Sequence, residues 1–374
     1  MSCGDAHNSN FGFYASPERA LLFDLNDFDE GGVAPWEWDL KRLVTSVYIA
    51  ALDNGESPKV ARKAARATSA AYRNMTARFH ELSALERFYA TVDTSQLEGL
   101  LTGKSRKTLD KTTKKARRRT SNQVLDKLTI VDDAGGRRLA DQPPLTQHTR
   151  HASREQLKQL WTEYVRTTRQ DVRMLLQGFR VVDHVLRVVG VGSVGTRCYI
   201  VYLEADDGTP LFLQAKEAQP SVLVTYGGVP QRIDGVDIEP PEGEGQRVVS
   251  AQRVLQAHSD PFLGWMRGFA GEQGEHVRTD YYWRQFRDMK GSVDLSVLGP
   301  KQLTDTARVC AGVLARAHAQ SPGSAQIAAR YADAEDLDEA LTDFARGYAA
   351  ICQADYDALA AAVEAGKVPA TFGV

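Results

Sequence analysis

The chain opens with two polar stretches, GDAHNSNFG at residues 4–12 and FDLNDFDE at residues 23–30. No helix or strand pattern separates Asp5 from Asn10, whereas Asp27 follows the apolar run 21–23, which predicts a buried strand that ends near this acid. Carboxylate and amide oxygens are suitable ligands for Mg²⁺, and a carboxylate can also accept a hydroxyl proton. The two stretches therefore predict a loop, a hairpin and a second loop that present the side chains used in phosphoryl transfer.

The order and spacing of these side chains resemble those of protein kinases and related small-molecule phosphotransferases. In those enzymes a metal-binding Asn follows the catalytic Asp by five residues, and a second metal-binding Asp lies at a strand end further along. The resemblance implies that Asp5 is the catalytic residue and that Asn10 and Asp27 bind Mg²⁺. Asp29 and Glu30 are candidates to support these ligands. The alternative is that these acids are solvated or cap helices, as acids in polar loops often are.

Asp39 resembles the structural Asp that opens a helix in aminoglycoside and choline kinases. Apolar residues recur at helical spacing after it, so we expect a helix over residues 39–52 with Asp39 as its N-terminal cap. One position departs from the kinase pattern, because Cys3 stands where a His usually precedes the catalytic Asp by two residues. His7, two residues after Asp5, does not have to replace it.

The composition is that of an ordinary globular protein, with 374 residues, 43% of them hydrophobic and 25% charged. A net charge of −2 gives the whole protein no attraction to nucleic acid or to a membrane surface. The four cysteines lack zinc-binding or redox spacing, which fits a reducing compartment. The polar N-terminus does not resemble a signal peptide, and no apolar run approaches the ~20 residues of a membrane span. We therefore expect a cytoplasmic protein with no membrane partner.

The second half of the chain contains a G-x-G-x-x-G pattern, which on its own could open a dinucleotide-binding helix. The residues that follow instead predict two strands, 198–203 and 211–216, joined by an Asp-Gly turn. A glycine-rich loop followed by a strand that carries Lys216 is typical of the phosphate-binding hairpin of kinases, because backbone N–H groups approach phosphates closely where no Cβ intervenes. The residues expected to contact the nucleotide phosphates in this loop are Gly190, Gly192, Ser193 and Gly195.

A helical pattern begins at Glu244, after the predicted Lys216 strand. In a kinase small lobe the helix in this place supplies a Glu that orients the Lys, so Glu244 is assigned that role, with Glu242 and Glu217 as alternatives. An aromatic strand over 280–286 follows. It leads into residues 288–291, a candidate hinge whose backbone groups are expected to bind an adenine edge.

Two further features belong to the helical parts of the chain. Residues 304–319 predict a helix that resembles the one preceding the catalytic loop in small-molecule kinases, and its His318 is expected to be structural. Residues 104–119 are strongly basic, with Asp110 as their single acid and no interleaved aromatic side chains. We interpret this run as solvated surface, with contact to nucleic acid or polyphosphate and recruitment of the substrate as the alternatives.

Seven motifs together resemble the bacterial family of unknown function called DUF2252, over nearly the whole chain. Members of that family usually carry a further segment before the Gly-Asp-x-His motif, whereas this chain begins almost on it. The family has no settled activity, so the expected chemistry depends on the residues above. The motifs lie at residues 4–12, 26–30, 38–43, 191–197, 213–218, 245–249 and 314–319.

We therefore expect an α+β protein with a kinase-like two-lobe architecture and a circularly permuted motif order, since the glycine-rich loop follows the catalytic loop. Residues 1–175 and 300–374 would form a large α-rich lobe, and residues 178–290 a small lobe with an antiparallel sheet. Permutation of this kind is tolerable because spatial contacts, not chain order, define a core.

The expected function is transfer of a phosphoryl group from ATP, with Mg²⁺, to a hydroxyl group of an unidentified small molecule. In this scheme Lys216 holds the phosphates and Asp5 orients or deprotonates the acceptor. Transfer of AMP by the same groups is one alternative. A non-catalytic, pseudokinase-like nucleotide-binding module is another, and a polyanion-binding protein that uses residues 104–119 is a third.

Overall fold

The computed structural model of the protein describes residues 1–101, 103–131, 133, 135–148, 154–188, 196–233, 242–270 and 278–370. Within them the chain forms thirteen α-helices and ten strands, which makes the protein α+β as expected. The helices are α1 (Trp36–Asp53), α2 (Pro58–Glu81), α3 (Ala84–Tyr89), α4 (Thr94–Leu100), α5 (Gly103–Arg117), α6 (Ser121–Leu128), α7 (Arg154–Thr167), α8 (Gln170–Leu176), α9 (Val222–Thr225), α10 (Glu244–Leu255), α11 (Pro300–His318), α12 (Ser324–Tyr331) and α13 (Glu335–Glu364). The strands are β1 (Phe11–Ala15), β2 (Leu21–Leu25), β3 (Thr129–Val131), β4 (Arg137–Leu139), β5 (Thr146–Gln147), β6 (Phe179–Arg187), β7 (Cys198–Ala205), β8 (Pro210–Ala218), β9 (Gly264–Ala270) and β10 (Arg278–Gln285).

The main sheet is antiparallel and has the strand order β5-β6-β7-β8-β10-β9. Its strands are rich in β-branched and aromatic residues, which favour a pleated surface that packs on both faces. One face packs against α7 and α8 through Leu160, Tyr164 and Trp283. The opposite face packs against α6 in part, through Ile200 and Phe212. Lys216 on β8 and Arg284 on β10 lie on that second face as well.

The largest apolar core joins α1, α2, α11 and α13 to the β1–β2 hairpin. Helix α2 begins as the sequence indicates, because Ser57 accepts a hydrogen bond from the backbone N–H of Val60 and Pro58 occupies the first helical position. The hairpin is in register with Phe13 opposite Phe23, and both rings are buried. This core carries the two polar stretches that flank the hairpin.

Several elements differ from the sequence prediction. Helix α1 begins at Trp36, so Asp39 lies inside its first turn and is not the cap. The sequence also predicts one helix over residues 153–174 and an extended linker over 132–150. The structure instead has two helices, α7 and α8, from residue 154 onward and the short strands β4 and β5 within the linker range. Among the described residues, no helix combines the length and the apolar character needed to cross a membrane.

Candidate functional site

The first polar stretch forms a tight loop that ends in the hairpin. The side-chain amide nitrogen of Asn10 donates a hydrogen bond to the backbone carbonyl oxygen of Asp5, at 2.8 Å. The carboxylate of Asp5 accepts a hydrogen bond from Nε of Arg42 at 2.6 Å, and its other oxygen lies 3.6 Å from Nε2 of His7. The side chain of Asp5 is 39% exposed, so it remains accessible to a ligand.

Asp39 binds the backbone of the segment that leads into this loop. Its two carboxylate oxygens accept hydrogen bonds from the backbone N–H groups of Cys3 and Gly4, at 2.8 and 3.0 Å. The same carboxylate lies 3.1 Å from Nε2 of His318, whose Nδ1 is 2.8 Å from the hydroxyl of Tyr72. Burial alone would raise the pKa of Asp39, but the hydrogen bonds from His318 and the loop hold it below the ordinary value. Asp39 and His318 thus support the loop and do not face a ligand.

Asp27 follows strand β2, which places it beside the Asn10 end of the loop. The backbone N–H of Asn26 donates to the carbonyl oxygen of Asn10 at 2.9 Å and so continues the hairpin ladder. Oδ1 of Asp27 is buried and has no hydrogen-bond partner among the described residues. Burial alone would raise the pKa of Asp27, but the positive charges of Lys216 and two further cations described below hold it below the ordinary value. The carboxylate is therefore charged and lacks a partner on one oxygen.

Lys216 on β8 reaches the second polar stretch across 187 residues of sequence. Its ammonium forms an ion pair with the carboxylate of Asp29, which also accepts a hydrogen bond from the hydroxyl of Tyr282 at 2.6 Å. The side chain of Lys216 is 12% exposed. Burial, together with the neighbouring charge of Asp27, raises the pKa of Asp29. The structure thus brings Lys216, Asp27 and Asp29 together in one place.

Glu244 is not brought to Lys216. It is the first residue of α10, where its carboxylate accepts a hydrogen bond from Nε of Arg247, one turn later. Arg247 is almost fully buried and donates further hydrogen bonds to the carbonyl oxygens of Asp29, Gly31 and Gln219. Arg247 was not predicted from the sequence. Its position beside the apolar residues of an amphipathic helix was the available signal, because a buried Arg needs several acceptors.

Two other cations of the site were also missed. Arg284 on β10 donates to the side chain of Gln214 at 2.8 Å and to the carbonyl oxygen of Asn26 at 3.2 Å. Burial together with the neighbouring Arg284 lowers the pKa of Lys290 to about 7. Both cations act electrostatically on Asp27. Lys290 lies in the predicted hinge, but its side chain contributes to the charge of the site.

The predicted hinge segment itself connects the sheet to the hairpin. Gly291 exchanges two backbone hydrogen bonds with Phe13 of β1, at 2.6 and 2.9 Å. Arg287 and Met289 have φ angles of 56° and 49°, which non-glycine residues seldom adopt. The predicted phosphate-binding residues Gly190, Gly192, Ser193 and Gly195 lie outside the described residues.

The donor set fits a Mg²⁺ ion that is shared with a ligand. In the described part of the chain, no group of three or more His, Cys, Asp or Glu side chains is arranged to hold a metal by itself. Mg²⁺ is, however, usually bound by one or two carboxylates together with substrate phosphates and water. Two oxygens are suitable for that arrangement, the unpartnered Oδ1 of Asp27 and the amide oxygen of Asn10. The amide nitrogen of Asn10 already donates to the backbone carbonyl oxygen of Asp5.

Comparison with known proteins identifies one family. The family model described as "Uncharacterized protein conserved in bacteria (DUF2252)" matches residues 1–362. Neither the curated proteins nor the solved structures include a significant match to the chain.

Proposed function

This chain belongs to the DUF2252 family, and we propose that it is an ATP- and Mg²⁺-dependent phosphotransferase with a kinase-like, circularly permuted arrangement of its functional residues. The acceptor would be a hydroxyl group of a small molecule. The observation that carries this proposal is the meeting of Lys216 with the Asp27–Asp29 loop, because phosphoryl transfer needs a cation for the phosphates next to metal-binding oxygens.

The order of elements around Lys216 supports the kinase-like interpretation. Lys216 lies on a central strand of an antiparallel sheet, and the next long helix, α10, packs against that sheet. The opposing Asp5–Asn10 loop is carried by the helical core. In kinases the strand that carries the Lys and the helix after it precede the catalytic loop, whereas here they follow it.

Each side chain has a separate role in this proposal. Lys216, together with Arg284 and Lys290, would attract the phosphates, and Asp27 with Asn10 would hold Mg²⁺, which neutralises charge on the transferring phosphoryl group when it is bound. Asp5 would accept the hydrogen bond of the acceptor hydroxyl and orient it for attack. Asp29 would hold the ammonium of Lys216 in position, which is the task predicted for Glu244.

The experiment is a thermal-shift titration with ATP, with and without Mg²⁺, on the wild type, Asp27→Asn and Asp53→Asn. Asp53 is exposed at the end of α1 and serves as the control. We expect Mg²⁺ to increase the stabilisation by ATP in the wild type and in Asp53→Asn, and this increase to be absent in Asp27→Asn. A wild type that ATP does not stabilise under either condition contradicts the proposal.

Turnover then separates the possible reactions. Incubation with γ-labelled or α-labelled ATP and a panel of hydroxyl-bearing metabolites should transfer label only from the γ position. Transfer from the α position would identify an AMP transferase instead. Binding of ATP without any transfer would identify a non-catalytic nucleotide-binding module.

A further inference from the structure

The basic segment 104–119 forms helix α5 and places most of its lysines on one side of that helix. Ser105, Leu109 and Ala116 are buried on the inner side. Spacings of three and four residues put a second set of side chains on the outer side, where all of them are exposed. This lysine row is roughly 16 Å long, because an α-helix rises about 1.5 Å per residue. It comprises Lys104, Lys107, Lys111, Lys114 and Lys115.

Hydrogen bonds on the inner side fix α5 to helix α11. The hydroxyl of Ser105 donates to the carboxylate of Asp305 at 2.7 Å. Nε2 of Gln302 donates to the hydroxyl of Thr108 at 2.8 Å. These contacts orient the helix, so the lysine row faces away from the body of the protein.

The C-terminal end of α5 is fixed to the segment that carries Lys290. Nη1 of Arg119 donates to the carbonyl oxygen of Lys290 at 2.8 Å, and the N–H of Met289 donates to the carbonyl oxygen of Arg119 at 2.8 Å. Ala116 packs so closely on Gly291 that no side chain would fit at that position. The lysine row therefore ends beside the segment that links the sheet to the hairpin.

The lysine row faces few acids. In the described part of the chain, the ion pair made by a basic side chain of α5 joins Arg106 to Glu98, with the nitrogen 3.7 Å from the oxygen. Arg106 lies outside the row. Asp294 is within electrostatic reach of Lys115 and Lys111. The positive charges of the row thus exceed the negative charge near them.

The stability of the helix does not account for the row. Like charges three or four residues apart repel one another and destabilise a helix. Cations near the C-terminus interact favourably with the helix dipole, which would explain Lys114 and Lys115. Lys104, however, lies in the first turn, where positive charge is unfavourable and where α5 has no acid. A linear anion that contacts successive lysines would offset the repulsion along the whole row.

We propose that the lysine row is a binding surface for inorganic polyphosphate, an unbranched chain of phosphate groups. Ammonium groups are compact point charges, which suits a ligand that is recognised by charge alone. Segment 104–119 has no aromatic side chain on which the bases of a single-stranded nucleic acid could stack. Its buried apolar residues are not available to enter a membrane. One straight row also fits a single chain of charges better than the two strands of a duplex.

The test measures binding of long-chain inorganic polyphosphate to the whole protein by calorimetry at several salt concentrations. It compares the wild type with Lys107→Gln/Lys111→Gln and with the control Lys59→Gln/Lys63→Gln. The control removes two exposed lysines of α2 that have the same spacing and the same charge. We expect the row variant to bind about tenfold more weakly, and the slope of log affinity against log salt to become shallower by about 1.4, since each contact to a single strand contributes about 0.7. The control should match the wild type.

A conservative variant separates the loss of charge from a disturbance of the helix. Lys107→Arg/Lys111→Arg keeps both charges and should keep the affinity and the salt slope of the wild type. Equal affinity in the wild type and the Gln variant of the row would overturn the binding surface, and so would equal losses in that variant and the control. A wild type that does not bind polyphosphate at about 0.15 M salt would also overturn it.

Competition identifies the ligand class. Single-stranded homopolymeric RNA, duplex DNA and vesicles of anionic phospholipid are compared with polyphosphate at equal concentrations of phosphate groups, and we expect polyphosphate to bind most tightly. Tighter binding of another anion through Lys107 and Lys111 would overturn the assignment of the ligand. The inference does not depend on the proposed phosphotransferase function. A protein that binds polyphosphate through the row but does not bind ATP would refute that function alone.

Discussion

The side-chain amide of Asn10 donates a hydrogen bond to the carbonyl oxygen of Asp5 over 2.8 Å. This bond closes the loop between the proposed catalytic acid and a proposed metal ligand. Nε of Arg42 donates a hydrogen bond to Oδ1 of Asp5. This contact orients the carboxylate before any ligand binds. Such preorganisation lowers the cost of aligning an acceptor hydroxyl.

Replacing Asp5 by Asn should end transfer and leave nucleotide binding intact. The amide has nearly the shape of the carboxylate but cannot accept a proton, and loss of such a group typically slows a reaction by about 10²–10⁴-fold. Steady-state turnover and calorimetric ATP affinity, measured on the same preparation, separate the two effects. An equal loss of turnover and of ATP affinity would contradict the assigned division of roles between Asp5 and the metal ligands.

The partner of Lys216 can be tested by comparing Asp29→Asn with Glu244→Gln. Asp29 contacts the ammonium directly, so its replacement leaves a mostly buried cation without its partner and should lower kcat/KM at least tenfold. Among the described residues the Glu244 carboxylate pairs only with Arg247, which keeps three carbonyl acceptors, so the loss of Glu244 should cost little activity. The reverse order of effects would contradict the assignment of Asp29 and would favour Glu244 as the residue that orients Lys216.

The strands and helices of the site could be predicted from the sequence more accurately than the contacts between their side chains. The predicted strand over 211–216 lies within β8, and the helix predicted from Glu244 is α10. Lys216 and Asp27 were expected to share one nucleotide site, but the direct contact of Lys216 with Asp29 was not predicted. The analogy with kinases pointed to a Glu on the helix instead.

Asp39 is another residue whose contacts were not predicted from the sequence. Acids near a helix start usually cap it, and that rule placed the start of the helix at Asp39. The helix begins three residues earlier, at Trp36, and the carboxylate bonds the backbone of Cys3 and Gly4 instead. The basic segment is a second example, because most of it forms helix α5 while Arg119 at its end donates a hydrogen bond to the carbonyl oxygen of Lys290. Composition predicted a solvated surface, but neither the helix nor the contact made by Arg119.

Replacing Asp39 by Ala should destabilise the protein more than any change at the loop surface. The substitution removes a buried carboxylate that accepts two backbone hydrogen bonds and faces His318, and breaking a buried network of this kind costs about 3–5 kcal/mol. Denaturant midpoints for Asp39→Ala and for the exposed control Asp53→Ala provide the measurement, and the control should change by less than about 0.5 kcal/mol. A loss below about 1 kcal/mol in Asp39→Ala would mean that the loop does not depend on this anchor.

Lys290 should make stability depend on pH in the neutral to alkaline range. Its pKa is lowered to about 7 in the folded protein, whereas an unfolded Lys titrates near about 10.4. Between these values the unfolded chain binds the extra proton, so the free energy of unfolding rises with pH, by at most about 1.4 kcal/mol per unit. Below about pH 7 the folded protein carries the full cost of burying the charge.

Replacing Lys290 by Met removes that buried charge and keeps most of the side-chain volume. The variant should therefore be more stable than the wild type at pH 6–7, and the difference should diminish steadily as the pH approaches 10. Denaturant midpoints at intervals of one pH unit measure this, with the exposed Lys301→Met as the control, which should follow the wild type. Parallel curves of stability against pH for the wild type and Lys290→Met would show that negative charge in the folded protein already stabilises the ammonium. In that case the charge of Asp27, with which it interacts, would already be neutralised before any phosphate binds.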